Sequence, residues 1–482
     1  MIKISNNDLQ SCFIGNIPIK KIYKGTDLVY ESVNWYGIRW RDGNPTCERI
    51  GNLDYHVSLP IQNKMRRCMI NSITGDIKYI NDDNPFVYDD GTSVDYGNID
   101  YQWCVEIPDY NFEAFDEDID GVIWHTLKCY PFSKNVGIYS PKAYLGVTEM
   151  MVNSSNNSSA TCLSQSFIDF VETGIDINTT SVNAHDIKYI NGAETYRNYN
   201  YSNTDPTSVK CSYGRARTNV SRESFRNIAK RTSVNKFNVS QQSWQIYNSV
   251  LRLYLLEYAN CNSQTNFNPV LTTEGYHQGG LGAGVTTIDN KSFNGYNPYV
   301  PCGITVGLCN KTGFINYVFA AGEFSSGVVS VQANSYRGIE LPFGHIWNFI
   351  DGINRRGIGN NIEEIYVCDD VTKFTESNQT TPQPEGYSLI SSTVATANTY
   401  NWKPEWDNKG TFFPKPASNN TFNDYFWNAY SIGTWYTFLG GGGADSSSGG
   451  KSGFFFLGCG GGVGSASADI GSRLQLTLNN ND

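Results

Sequence analysis

The stretch Asp116-Glu117-Asp118-Ile119-Asp120-Gly121 sets carboxylates at alternate positions ahead of a glycine, as at the start of a calcium-binding EF-hand loop. Such a loop needs a bidentate Glu at its twelfth position. Leu127 stands there, so the stretch reads as a solvated acidic turn. Glycoside cleavage needs two carboxylates at a fixed separation in space, which linear spacing does not reveal. Glu274, Glu363 and Glu364 are candidates without distinguishing context. The 5 His come with no HExxH, GxSxG or P-loop pattern. His345, within Pro342-Phe343-Gly344-His345-Ile346-Trp347, reads as a satisfied core residue rather than a base. The 12 Cys are scattered singly with no CxxC, so they read as buried free thiols of a protein made in a reducing cytoplasm. The expectation is a protein that is not an enzyme, with no catalytic residues, no metal and no cofactor.

The elements that would carry a binding chemistry are better marked. Hydrophobic residues make up 39% of the 482-residue chain and charged residues only 17%, so its polarity comes from Asn, Ser, Thr, Gly and Tyr. Tyr beside small polar residues is the chemistry of paratopes, rigid contact area next to adaptable hydrogen bonds. The formal net charge of −10 comes with no basic stripe, which argues against a nucleic-acid partner or an anionic membrane surface. No apolar run approaches the roughly 18 residues of a spanning helix, so no membrane insertion is expected. The start, Met1 to Asp8, lacks the apolar region of a signal peptide.

Along the chain, residues 1–32 read as a small β unit with a hairpin turn at Lys24-Gly25-Thr26-Asp27. Residues 33–150 read as a β-rich domain of short strands between turns such as Asp42-Gly43-Asn44-Pro45, with a strand ended by Pro108. Residues 151–482 read as a third region of Asn/Ser-rich loops around two helices. The first spans Arg222 to Arg231, with Phe225, Ile228 and Ala229 on one face. In the second, Trp244, Tyr247, Val250, Leu251, Tyr254, Leu255 and Tyr258 recur at helical spacing as a core stripe. Ser240 is its expected N-cap, with Val239 and Trp244 as a hydrophobic staple. From about residue 419 the chain is rich in Gly, Ser and aromatics, and Ile470 to Leu478 alternates as a closing strand. The fold class expected is α+β.

Several segments then align with a known group. Trp35-Tyr36-Gly37-Ile38-Arg39-Trp40, Ser58-Leu59-Pro60-Ile61-Gln62, Ser221-Arg222-Glu223-Ser224-Phe225-Arg226 and Glu257-Tyr258-Ala259-Asn260-Cys261-Asn262 are four of them. Asn294-Gly295-Tyr296-Asn297-Pro298, Arg337-Gly338-Ile339-Glu340, Pro342 to Trp347 and Ile470-Gly471-Ser472-Arg473-Leu474 follow in order. Together they resemble tail-associated adhesins of phages and prophages of gut bacteria. Many such proteins are variable targets of diversity-generating retroelements. The resemblance implies a C-type-lectin-like domain of the enlarged, formylglycine-generating-enzyme-like kind, with antiparallel strands around the two helices.

Retroelement targets have Asn codons rewritten near the gene's 3′ end, which cannot yield Trp, Lys, Glu, Gln or Met. From Tyr436 to Gly471 only Lys451 belongs to that set. The resemblance makes 425–470 the candidate variable region. Its implied ligand-facing residues are Tyr425, Trp427, Tyr430, Trp435, Tyr436, Phe438, Asp445, Lys451, Phe454, Phe456, Cys459, Ser465, Ser467 and Asp469. Gly471, Arg473 and Leu474 would be constant scaffold. Gln383-Pro384-Glu385 is similar to the calcium- and sugar-binding triplet of animal lectins, but its proline-flanked setting favours an ordinary turn. Cys302 and Cys309 are the nearest match to the oxidases' cysteine pair and read as structural thiols.

The implied function is a receptor-binding protein in the virion tail, synthesised in the host cytoplasm. Residues 1–32 would attach it to other phage tail proteins, and the lectin-like domain would bind a host cell-surface glycan or protein, as a homotrimer. The alternatives are a tail-borne polysaccharide depolymerase and a purely structural tail-tip protein.

Overall fold

In the computed structural model the described residues are 33–132, 136–152, 160–173, 176, 178, 180–190, 214–266, 300–318, 330–375, 385–394, 402–407, 410–416, 424–428, 434–441, 453–467 and 469–479. Short backbone stretches between residues 13 and 31 are described as well. The architecture is α+β, rich in strands, with few helices.

The apolar spacing from Trp244 to Tyr258 produces a helix of those bounds. Its N-cap is Ser243, whose hydroxyl accepts the Ile246 N–H at 3.3 Å. Ser240, the expected cap, belongs instead to the strand Phe237–Gln241, which pairs with Leu474–Leu478. The helix therefore starts only after the backbone leaves that sheet. The expected staple does not form either, because Val239 packs in one apolar cluster and Trp244 in another. Ala259, in the left-handed region at φ 52°, ends the helix by donating its N–H to the Leu255 carbonyl. Burial extends around the helix and includes Asn248, Ser249 and Arg252, so it is a central element rather than a covering one.

The second expected helix, Arg222–Arg231, is capped by Ser221 and buries Phe225, Ile228 and Ala229. A further helix, Leu53–Ser58, lies where strands and turns were expected. The Asn52 side chain caps it by accepting from Asp54 and Tyr55, and it buries no residue, so no apolar stripe announces it.

Three sheets frame the long helix. In spatial order the five-stranded one runs Ile138–Ser140, Tyr110–Ile119, Val122–Tyr130, Tyr36–Trp40 and Glu48–Gly51. The six-stranded one runs Phe237–Gln241, Leu474–Leu478, Ala143–Gly146, Tyr101–Ile107, Arg67–Asn71 and Ile77–Tyr79. The largest runs Ser388–Val394, Ile362–Val367, Trp347–Gly359, Trp435–Gly440, Leu457–Cys459 and Phe426–Asn428, with Ile470–Gly471 added beside Trp347–Gly359.

The six-stranded sheet takes strands from both sides of residue 150, and one apolar cluster joins Tyr36 and Trp103 to Trp244 and Phe438. The division into 33–150 and 151–482 thus separates no self-contained core, because strand pairing is non-local and composition is not. In the region 1–32, Lys21–Lys24 and Asp27–Glu31 pair antiparallel around the expected turn.

The acidic stretch at 116–121 closes a long hairpin. Asp120 (φ 54°) and Gly121 (φ 79°) are both left-handed, as a two-residue type I′ turn requires. Its carboxylates are engaged by the strands: Thr126 donates to Glu117 at 2.7 Å, and His125 bridges Asp116 (2.7 Å) and Asp42 (3.0 Å). Burial pulls the imidazole pKa down, but Asp116 and Asp42 outweigh it and raise it to about 9. A raised folded pKa adds stability that is complete below the unfolded value near 6.5 and lost as pH climbs through about 9. A two-dimensional NMR titration should find His125 protonated at pH 7.5. His125→Gln should remove on the order of 2 kcal/mol of stability at pH 6 and far less at pH 10. Equal losses at both values would exclude the charged bridge.

Candidate binding surface

The region 425–470 divides by position in the largest sheet. Trp435–Gly440 lies between Trp347–Gly359 and Leu457–Cys459, and all its residues are buried. One face of this sheet packs Ile350 and Phe438 into the main core beside the long helix, and the other packs Phe349 and Leu439 near the helix Arg222–Arg231. Trp435 (1% exposed), Tyr436, Phe438 (0%), Phe454, Phe456 and Cys459 (0%) are therefore interior. Their expected ligand-facing role is corrected: both faces of the strands that carry Trp435, Tyr436, Phe438 and Cys459 are covered, and Phe454 and Phe456, in the turn before Leu457–Cys459, pack inward against Tyr254 and Trp347. Phe454 lies tilted against Tyr254 at 4.5 Å between centroids, and Phe438 lies 5.5 Å from Trp244. Burial pushes the Cys459 thiol up to about 12.

Tyr425, Trp427, Ser465, Ser467 and Asp469 remain half-buried and reach the surface. Tyr430, Asp445 and Lys451 lie outside the described residues, as do Glu274, Gln383 and Pro384. Gly471, Arg473 and Leu474 are buried. Arg473 donates to the carbonyls of Gly146, Val147, Glu340 and Leu341 at 2.7–3.1 Å, which ties the chain's ending to the sheet centre.

Two indoles organise the exposed part. Trp427, on the edge strand Phe426–Asn428, meets Trp347 edge to face at 5.6 Å, and Trp347 meets Phe456 at 5.0 Å. Trp347, from the segment Pro342 to Trp347, is also half-buried, and no local sequence signal places it beside the tail. Glycines clear the floor beneath both rings. A Cβ on Gly458 would lie 3.0 Å from the Trp347 ring, and one on Gly460 would lie 3.1 Å from the Trp427 ring. Gly458 and Gly460 thus serve close packing of indoles on backbone.

The support under this ledge is charged and closed. Arg355 pairs with Glu363 at 2.7 Å through Nε, donates to the Cys459 carbonyl at 3.3 Å and lies 5.1 Å from the Tyr436 ring centroid. Asn428 donates to the same Glu363 carboxylate at 3.2 Å. Asp424, fully buried, accepts from Ser263 Oγ (2.6 Å) and the Phe455 N–H (2.8 Å), which pins the turn leading into Leu457–Cys459. Buried side-chain bonds thus hold the backbone beneath the indoles.

Of the candidate carboxylates, Glu363 and Glu364 are engaged by neighbouring side chains. Glu363 is 1% exposed and held by Arg355, and Glu364 accepts the Tyr366 hydroxyl at 2.5 Å. His345 is buried, with Nδ1 on Glu149 at 2.8 Å while Nε2 accepts the Val300 N–H at 3.1 Å. The proton therefore sits on Nδ1. Cys302 and Cys309 are free buried thiols, as are the other described cysteines, and burial raises the Cys302 pKa far above its ordinary value. Among the described residues no group of three or more His, Cys, Asp or Glu could hold a metal ion. No helix among them is long and apolar enough to cross a membrane.

Comparison with family models and with curated proteins gives no match.

Proposed function

We propose that this chain is a receptor-binding protein of a phage tail, whose C-terminal part is a C-type-lectin-like domain that engages a host cell-surface glycan or protein. The observation that carries the reading is the Trp427–Trp347 ledge: two half-buried indoles on glycine-cleared strands over a closed ion-pair support. Flat aromatic faces offer stacking area to sugar rings and to protein side chains alike, at low entropic cost. The α+β class, two helices set against antiparallel strands and the buried ending Gly471 to Leu474 support the lectin-like part of the proposal. Under this reading the Lys21–Glu31 hairpin region joins other tail proteins, and a homotrimer multiplies a weak single-site affinity.

Tyr425, Ser465, Ser467 and Asp469 are where retroelement variation would be tolerated, while Trp427, which such rewriting cannot yield, would be a fixed part of the ledge. Buried Phe438 and Phe456 are not such positions. Trp427→Ala should weaken adsorption of the purified protein to host cells about thirtyfold or more, as for a central aromatic anchor, with the unfolding midpoint little changed. Adsorption equal to wild type would move the binding surface elsewhere or leave the chain a structural component.

A further inference from the structure

The long helix Trp244–Tyr258 buries its polar side as well as its apolar one, and that side borders a cavity of about 260 Å³. Trp244, Asn248 and Arg252, four residues apart along one helical stripe, line it with Phe112, Tyr139 and Gln245. No lining residue belongs to the region 425–470, so the cavity is separate from the tryptophan ledge.

Arg252 is the anomaly. It is 4% exposed, yet among the described residues no carboxylate forms an ion pair with it. Other buried arginines are better served: Arg226 has Asp351, Arg355 has Glu363 and Arg473 has four carbonyls. Arg252 donates only to neutral oxygens and at long range: Tyr110 Oη at 3.2 Å, Ser140 Oγ at 3.4 Å and the Gly410 carbonyl at 3.5 Å. Its guanidinium carbon lies 3.9 Å from the Phe112 ring centroid. A buried cation with so few acceptors is costly, and a guanidinium fork matches a carboxylate in two parallel hydrogen bonds.

A second buried donor belongs to a residue of the lining. Trp244 is 2% exposed, and its indole Nε1–H is buried without a hydrogen-bond partner. The Asn248 amide adds no free acceptor, since its oxygen takes the Phe412 N–H (3.0 Å) and its nitrogen donates to the Trp244 carbonyl (2.9 Å). The one carboxylate on the wall, Asp369, is exposed. Buried donors in excess of acceptors call for an acceptor-rich anion. Trp244 and Phe112 make part of the lining apolar, and the volume suits one ring.

We propose that this cavity binds a small carboxylate-bearing sugar, one acidic monosaccharide residue of the uronic acid type, with its carboxylate on Arg252. The site needs neither the ledge nor the adhesin reading, and it stands or falls alone.

Isothermal calorimetry on the full chain would use glucuronate, neutral glucose and inorganic phosphate as probes. Two variants accompany the wild type: Arg252→Met, which removes the cation, and Gln245→Trp, which fills the cavity from a half-exposed position. The expected result is binding of glucuronate but not of glucose, weakened about tenfold or more in both variants. Should Arg252→Met fail to fold, the Gln245→Trp comparison decides alone. No binding of glucuronate by the wild type would overturn the proposal. So would equal binding of glucose, or undiminished binding in either folded variant. Phosphate bound as well as glucuronate would overturn the sugar assignment.

Discussion

Asp351→Ala should cost about 3–5 kcal/mol, a large share of the stability of an ordinary domain. Asp351 is fully buried and receives Arg226 in a two-point pair, Nε to Oδ2 and Nη2 to Oδ1, both at 2.7 Å. It also accepts from Gln241 at 3.1 Å, and Arg222 lies close enough to favour its charge. Burial pushes the carboxyl pKa up, but Arg226 and Arg222 together overcome that and hold it below the ordinary range. Its contribution is therefore present above the unfolded carboxylate value near 4 and lost as pH falls through the folded one. Removing the carboxylate takes the two-point partner from buried Arg226 and the countercharge near buried Arg222, where the helix Arg222–Arg231 meets the strand Trp347–Gly359. Urea unfolding at pH 7 measures the loss. A change under 1 kcal/mol would mean that water reaches the pair and that this junction is open.

Phe438→Ala should lose about 3–5 kcal/mol by the same measurement, because it empties a filled site in the main core. The ring packs against Trp244 and is wholly shielded from solvent. A ligand-facing side chain would behave in the opposite way, with binding lost and stability kept. The pair Phe438→Ala and Trp427→Ala therefore separates core from surface within one short stretch of chain. If Phe438→Ala left stability unchanged, the placement of Trp435–Gly440 between two covered faces would be wrong.

What could be read in the sequence follows from which interactions are local. The helix Arg222–Arg231 and the stripe from Trp244 to Tyr258 show themselves through periodicity, which a single turn of chain carries. The start of the second helix was misplaced to Ser240 because a capping residue looks the same whether or not a distant strand has claimed it, and here Leu474–Leu478 has. The helix Leu53–Ser58 has no buried face and so leaves no pattern. Within the tail, position marked Trp427 and Asp469 near the surface, but aromatic character cannot separate a ledge from a core. Phe438 and Trp427 differ only in what covers them. Trp347, from far upstream, reaches the site through the pairing of Trp347–Gly359 with Trp435–Gly440, which local reading does not supply.

The strand Leu474–Leu478 sits inside its sheet, with Phe237–Gln241 on one side and Ala143–Gly146 on the other. Arg473 at its start bonds to the Gly146 carbonyl across 327 residues of chain. During synthesis, Ala143–Gly146 therefore waits with one backbone edge unpaired until the 327 residues from Gly146 to Arg473, and the strand after them, have been made. Such long-range closure slows folding and leaves an edge open to wrong partners. Nascent chains stalled before Leu474 should be open to protease across this sheet and held by chaperones. Any sequence change in the preceding segment that delays the strand Leu474–Leu478 then lowers yield before it ever affects binding.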